Sequence, residues 1–303
     1  MERENFTFVS EVDGLEISAM AVIPEEIKGV VQLVHGMCEY KERYLPFMEF
    51  LAGKGYAAVI HDHRGHGKSI KSPEDLGYMY EGGKEGLIED TYQMLKLTKE
   101  RFGELPYCLL GHSMGSLVVR CFVKKYDGEI DKLLVVGSPS KNNAAGAGYS
   151  LAGLAEKLKG GKGYWKVLDY MVTDMAYEKP FKKEGRHAWI SSDPEVVRKY
   201  NEDPGCGYRF TINGYKGLIG LCIDTYDAQG WAMKNPELPI KFFSGENDPC
   251  AVNRKAWEES LQFMKTLGYK NVDGIMYENM RHEVLNEKEK EKVWADVLEF
   301  IEK

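Results

Sequence analysis

Near the N-terminus, FTFVSEV and LEISAMAVI alternate apolar and polar positions on either side of Asp13-Gly14, which predicts two strands joined by a hairpin turn. The pattern then changes. GVVQLVHG, YAAVIHDHRGHG, LPYCLLGHS and IDKLLVVGSP are nearly continuous apolar runs that empty into glycine and polar residues, as strands buried on both faces do. Between them, YLPFMEFLAGKG, LIEDTYQMLKLTKERFG and MGSLVVRCFVKKYDG carry apolar residues at helical spacing. Strands and helices that alternate in this rhythm predict a mostly parallel sheet covered by helices on both faces, an α/β fold.

The rhythm stops at about Pro139 and resumes after Glu237. The intervening stretch holds a small-residue run (NNAAGAGYSLAGLAEKLKGGKG), an aromatic and Met-rich stretch (YWKVLDYMVTDMAY) and one further predicted helix, GYKGLIGLCIDTYDAQGW. Beyond it, LPIKFFSGEND, VNRKAWEESLQFMKTLG, VDGIMYENM and NEKEKEKVWADVLEFIEK restore the alternation. The simplest organisation is an α/β core in two parts, residues 1–138 and 238–303, interrupted by an inserted cap, residues 139–237. The chain shows no repeats and no low-complexity linker, and its C-terminal Lys/Glu run reads as the solvated face of a helix.

Composition narrows the function classes. The 303 residues carry a formal net charge of −7 with both signs interspersed, which argues against a nucleic-acid partner and mildly against electrostatic attachment to anionic membranes. The first thirty residues lack a signal-peptide pattern, and no apolar run reaches the length of a membrane span. Six scattered cysteines form no C-x-x-C pair or Cys/His cluster, so reduced thiols in a cytoplasmic protein are expected, with no metal and no organic cofactor.

Functional groups in parallel sheets gather at the carboxyl ends of the strands. Those ends carry, in order, His35-Gly36-Met37, Asp62-His63-Arg64-Gly65-His66-Gly67, Ser113, Asp248 and His282. Gly111-His112-Ser113-Met114-Gly115 fits G-x-S-x-G, the strand-to-helix turn that exposes a nucleophilic serine, and Ser, Asp, His is the chain order of an α/β-hydrolase triad. A serine hydroxyl needs a base, here His282, which Asp248 would orient and stabilise as a cation. Asp224 and Asp227 compete on charge alone but fall in the predicted cap helix. The oxyanion donors would be the backbone amides of Met37 and Met114.

HGMCEYKERY, HDHRGHGKS, GHSMGS, SGENDPC and RHEVLNE, spread from residue 35 to residue 287, resemble the α/β-hydrolases of the monoglyceride lipase and lysophospholipase-like branch. In the cap only YNEDPGCG, from Tyr200, resembles a family stretch. The sequence departs from the family at Met37, where a small residue is usual, and at Ser116, where many relatives have glycine. The resemblance implies a serine esterase acting on monoacylglycerol or a lysophospholipid, with Glu39 and Arg43 close to the polar head of the substrate. An internal Glu39–Arg43 pair at i, i+4 that merely fixes the loop is the competing reading. Trp165, Met171 and Met175 are candidate contacts for the acyl chain, and the cap is the surface through which transient membrane contact would occur. The glycines around Gly160, Gly161 and Gly163 are a candidate lid hinge.

Three other readings remain open at the level of sequence. A shorter pocket closed by Trp165 or Met171 would favour small, aryl or cinnamoyl esters. A peptidase of this fold would need an acidic anchor for a free amine, which Glu39 or a cap carboxylate offers. A non-catalytic binding or scaffold protein would normally show a damaged triad, and this one is intact.

Overall fold

A computed structural model describes all residues from Met1 to Lys303. Eight strands form one sheet: β1 (Glu2–Val9), β2 (Glu16–Ile23), β3 (Gly29–Val34), β4 (Tyr56–His61), β5 (Tyr107–His112), β6 (Lys132–Val136), β7 (Ile240–Gly245) and β8 (Val272–Tyr277). Their spatial order is β1-β2-β4-β3-β5-β6-β7-β8. β2 runs antiparallel to both β1 and β4, and all other neighbours are parallel.

The continuous apolar runs are explained by two cores, one on each face. Along β3, Val30 and Val34 join one cluster while Val31 and Leu33 join the other, and β4 splits Ala57 and Val59 from Ala58 and Ile60 in the same way. Successive side chains point to opposite faces, so both parities must be apolar. The larger cluster holds 45 buried residues, the smaller 25. α1 (Leu45–Gly53) and α10 (Lys290–Glu302) cover the smaller one through Phe47, Met48, Leu51, Val293 and Val297, whereas α2 (Gly83–Phe102), α3 (Met114–Tyr126) and α9 (Arg254–Leu267) cover the larger.

β6 pairs directly with β7 although the whole irregular segment lies between them in sequence. That segment folds as α4 (Ala145–Lys159), α5 (Lys166–Asp169), π-helical turns over Tyr170–Glu178, α6 (Lys179–Phe181), α7 (Pro194–Glu202) and α8 (Ile212–Thr225). Its small-residue run, which carries little apolar periodicity, is the helix α4. Leu168, Phe210, Ile212, Tyr215, Leu218 and Leu221 belong to the larger core cluster, so the segment shares the core of the sheet, and Ile190, Tyr200 and Cys206 add a small cluster beside it. No helix is long and apolar enough to cross a membrane, and all six cysteines are free.

Candidate active site

Ser113 sits between the last residue of β5 and the first of α3, with φ 55° and ψ −118°, a conformation a side-chain-bearing residue adopts only when its surroundings enforce it. The enforcing contacts explain the flanking glycines. A Cβ on Gly111 would lie 2.3 Å from the carbonyl oxygen of Gly115, and a Cβ on Gly115 would lie 2.1 Å from that of Val34. Strand β3, the turn and the start of α3 therefore approach backbone to backbone, and the serine is lifted off the sheet. The Ser116 hydroxyl donates to the Ser113 carbonyl, so the residue that departs from the family pattern braces the turn.

His282 follows β8, and Asp248 follows β7. Both oxygens of the Asp248 carboxylate lie 3.0 Å from His282 Nδ1. The same carboxylate accepts the Cys250 amide at 2.8 Å, which fixes its plane. The imidazole is packed between His112 and Trp189, with ring centroids 4.8 and 4.9 Å away. Ser113, His282, Met37 and Met114 all border one cavity of about 510 Å³. Met114 is the first residue of α3, so its N–H has no partner within the helix.

Glu39 and Arg43 act on the loop that carries Met37. Glu39 Oε1 accepts the Gly36 amide at 2.6 Å and the Tyr44 hydroxyl at 2.9 Å. Arg43 reaches Glu39 Oε2 at 2.5 Å and holds both oxygens of Glu283 at 2.9 and 2.6 Å, with its guanidinium 4.9 Å from the Tyr200 ring centre. Burial works to raise the Glu39 pKa, but Arg43 and His112 outweigh it and hold the carboxyl well below its ordinary value. His112 is the converse: burial opposes its charge, Glu39 favours it, and the imidazole pKa is raised. Arg43 itself does not border the cavity, because three carboxylate oxygens and an aromatic face already surround it.

Of the predicted acyl-chain contacts, Trp165, Met171 and Met175 do not border this cavity. Trp165 packs on the core, whereas Met171 and Met175 are exposed. The physical reason is the direction in which the π-helical turns face: Thr173, Asp174, Tyr177 and Glu178, with Asp169 just before them, border the cavity, whereas Met171 and Met175 point outward and Val172 packs on the core. The walls also include Trp189, Tyr208, Leu218 and Cys250, which sequence reasoning missed. Tyr200, from the one stretch between β6 and β7 that resembled a family motif, donates to the Cys38 carbonyl at 3.0 Å and ties that segment to the Met37 loop. The only sequence signals for Cys250 and Glu283 are their positions beside Asp248 and His282.

A family profile described as serine aminopeptidase, S33, matches residues 25–289. The chain belongs to this family. Within the S33 family it is an α/β-hydrolase of the monoglyceride lipase and lysophospholipase branch, and so a hydrolytic enzyme. It is 28% identical over 280 residues to a monoacylglycerol lipase of Mycolicibacterium smegmatis, covering 90% of this chain and 88% of that one. It is 21% identical over 271 residues to a probable lysophospholipase L2 of Haemophilus influenzae, covering 87% and 80%. Its fold superposes on a thermostable carboxyl esterase from Bacillus coagulans in complex with glycerol, with a TM-score of 0.88 at 23% identity over 99% of both chains. A soluble variant of monoglyceride lipase from Saccharomyces cerevisiae gives 0.74 at 17% identity, covering 100% of this chain and 95% of that one.

Proposed function

We propose that this S33 hydrolase cleaves carboxylic esters of lipid monoesters, of the monoacylglycerol or lysophospholipid type, through an acyl-enzyme intermediate. The observation that carries the reading is that Ser113, His282, Met37 and Met114 all border one cavity, with His282 held on Asp248. Ser113 Oγ attacks the ester carbonyl carbon while His282 Nε2 takes its proton, and the two amides receive the developing alkoxide. The imidazolium then protonates the leaving alcohol, and the freed base activates a water that releases the fatty acid. Residues 139–237 act as the cap that roofs this cavity, and Tyr177, Trp189, Ile190 and Leu218 supply an apolar wall for the acyl chain.

Two features favour a lipid monoester over an amino-terminal peptide substrate. Glu39 and Glu283, the buried carboxylates on the Met37 and His282 loops, are already paired with Arg43, so an ammonium group would find an anchor only at the more exposed carboxylates Asp169, Asp174 and Glu178. Seven of the eleven large apolar side chains exposed on the protein fall between Leu154 and Met175, a concentration that fits transient contact of the cap with a lipid surface. Eight Lys and Arg side chains accompany four carboxylates between residues 157 and 186, opposite in sign to the chain as a whole.

The test is hydrolysis of p-nitrophenyl esters from acetate to palmitate by the wild type and Ser113→Ala, followed by monoacylglycerols. Activity that peaks at medium or long chains and disappears in the variant is expected. A peak at acetate would contradict the lipid assignment, and a folded protein inert towards every ester would overturn the esterase reading.

A further inference from the structure

Asp248, Cys250 and His282 bring one carboxylate oxygen, one thiol sulfur and one ring nitrogen within 4.8 Å of one another, all three residues buried. Among the six cysteines and seven histidines of the chain no other such trio converges. In a tetrahedral site, bonds of about 2.0 Å to nitrogen and oxygen and about 2.3 Å to sulfur put neighbouring ligand atoms about 3.3 to 3.7 Å apart, so three atoms already within 4.8 Å of one another would draw in by no more than about an ångström. Nδ1 and the carboxylate oxygens, now 3.0 Å apart, need open by only a few tenths of an ångström. Cys250 and His282 border the cavity, which supplies the entry path, and Asp248 lies behind them. The outer partners are in place as well: the Cys250 amide and the Ser244 hydroxyl donate to the Asp248 carboxylate, and the Tyr177 hydroxyl lies beside the thiol.

We infer that Asp248, Cys250 and His282 form an inhibitory site for a borderline or thiophilic divalent cation, Zn²⁺ foremost, which switches off the serine chemistry by inverting the imidazole tautomer. Catalysis needs the proton on Nδ1 and the lone pair on Nε2. An ion on Nδ1 moves that proton to Nε2, so the face towards Ser113 becomes a donor and no longer accepts the serine proton. The thiol proton leaves to solvent as the sulfur binds. One proton is thus relocated and one released per ion bound.

The inference rests on His282 being the base, so binding and inhibition are read separately. Zn²⁺ is titrated against ester hydrolysis by the wild type, Cys250→Ser and Cys250→Ala, each normalised to its own metal-free rate, with reversal by a chelator. In parallel, Cd²⁺ is titrated without substrate and its sulfur-to-metal charge-transfer absorption is followed in the ultraviolet. Full, reversible inhibition of the wild type is expected, with the inhibition constant raised about tenfold or more in both variants and the Cd²⁺ band lost from both. Equal inhibition of wild type and variants, or no loss of the Cd²⁺ band, overturns the site. A Cys250-dependent Cd²⁺ band in a protein that hydrolyses no ester would leave the metal site standing and remove the proposed function instead.

Discussion

Replacing Arg43 by alanine separates a bracing role from substrate contact. The guanidinium neutralises Glu39 and Glu283, which are only 2% and 3% exposed, and its contacts run from 2.5 to 2.9 Å. Removing one partner from a buried ion cluster strands the remaining charge, at a cost of about 3 to 5 kcal/mol. The Gly36 amide bonded to Glu39 adjoins Met37, so the variant should also lose oxyanion alignment and hence kcat. Urea unfolding at neutral pH, followed by Trp fluorescence, measures the first effect, and steady-state kinetics measures the second. In the wild type, Glu39 titrates below its ordinary range, so its stabilisation is complete above that range and is lost as pH falls through the lowered value. Without Arg43, burial dominates and raises the carboxyl, and a raised pKa stabilises the folded state only at the acid side. The variant's deficit should therefore shrink as pH is lowered from 7 towards 5. Adding Glu283→Gln should recover part of the loss, because it removes one of the two stranded charges. A stability change below about 1 kcal/mol, set against the ion-cluster figure, with KM raised and kcat kept, would refute this reasoning and make Arg43 a substrate contact.

Gly115→Ala should cost about 3 kcal/mol, because its Cβ meets the carbonyls of Val34 and His35 and backbone cannot swing aside. Gly146→Ala, with nothing within 4 Å of its Cβ, should leave stability unchanged or slightly raised, and thermal unfolding compares the two. His61 and His66 are buried and held neutral, with pKa values pushed by desolvation to about 3 and about 4, so stability complete above pH 6.5 is lost as pH falls towards those values. Each group contributes a slope of up to about 1.4 kcal/mol per pH unit in that window, opposed by the raised His112. A urea midpoint unchanged between pH 6.5 and 5 would contradict this. Met171→Ser combined with Met175→Ser should weaken flotation with anionic phospholipid vesicles while sparing p-nitrophenyl butyrate hydrolysis. Undiminished flotation would remove the cap face as the contact.

The sheet was legible because strands buried on both faces must be apolar at both parities, as β3 and β4 are. Ser113, Asp248 and His282 were legible because each follows a strand, and because close backbone approach admits only glycine at positions 111 and 115. The cap was not. In its π-helical stretch Thr173, Asp174 and Glu178 line the cavity while Met171 and Met175 face outward, against the burial rule, and the π-helical turns shift the period by which a helix face is read. Glu283 as the second partner of Arg43 was equally hidden, since 240 positions separate the two and neither residue type signals the other. The i, i+4 pair with Glu39 was visible, and by itself it allowed either role.

The central claim is that Ser113 attacks an ester carbonyl and carries the acyl group. Rapid acid quench of the enzyme during turnover of a long-chain p-nitrophenyl ester, followed by intact-mass and peptide-mass analysis, tests it directly. An added acyl mass on the peptide holding Ser113, absent from Ser113→Ala together with all hydrolysis, is the expected result. Acylation of another residue, or hydrolysis surviving in Ser113→Ala, would contradict the account.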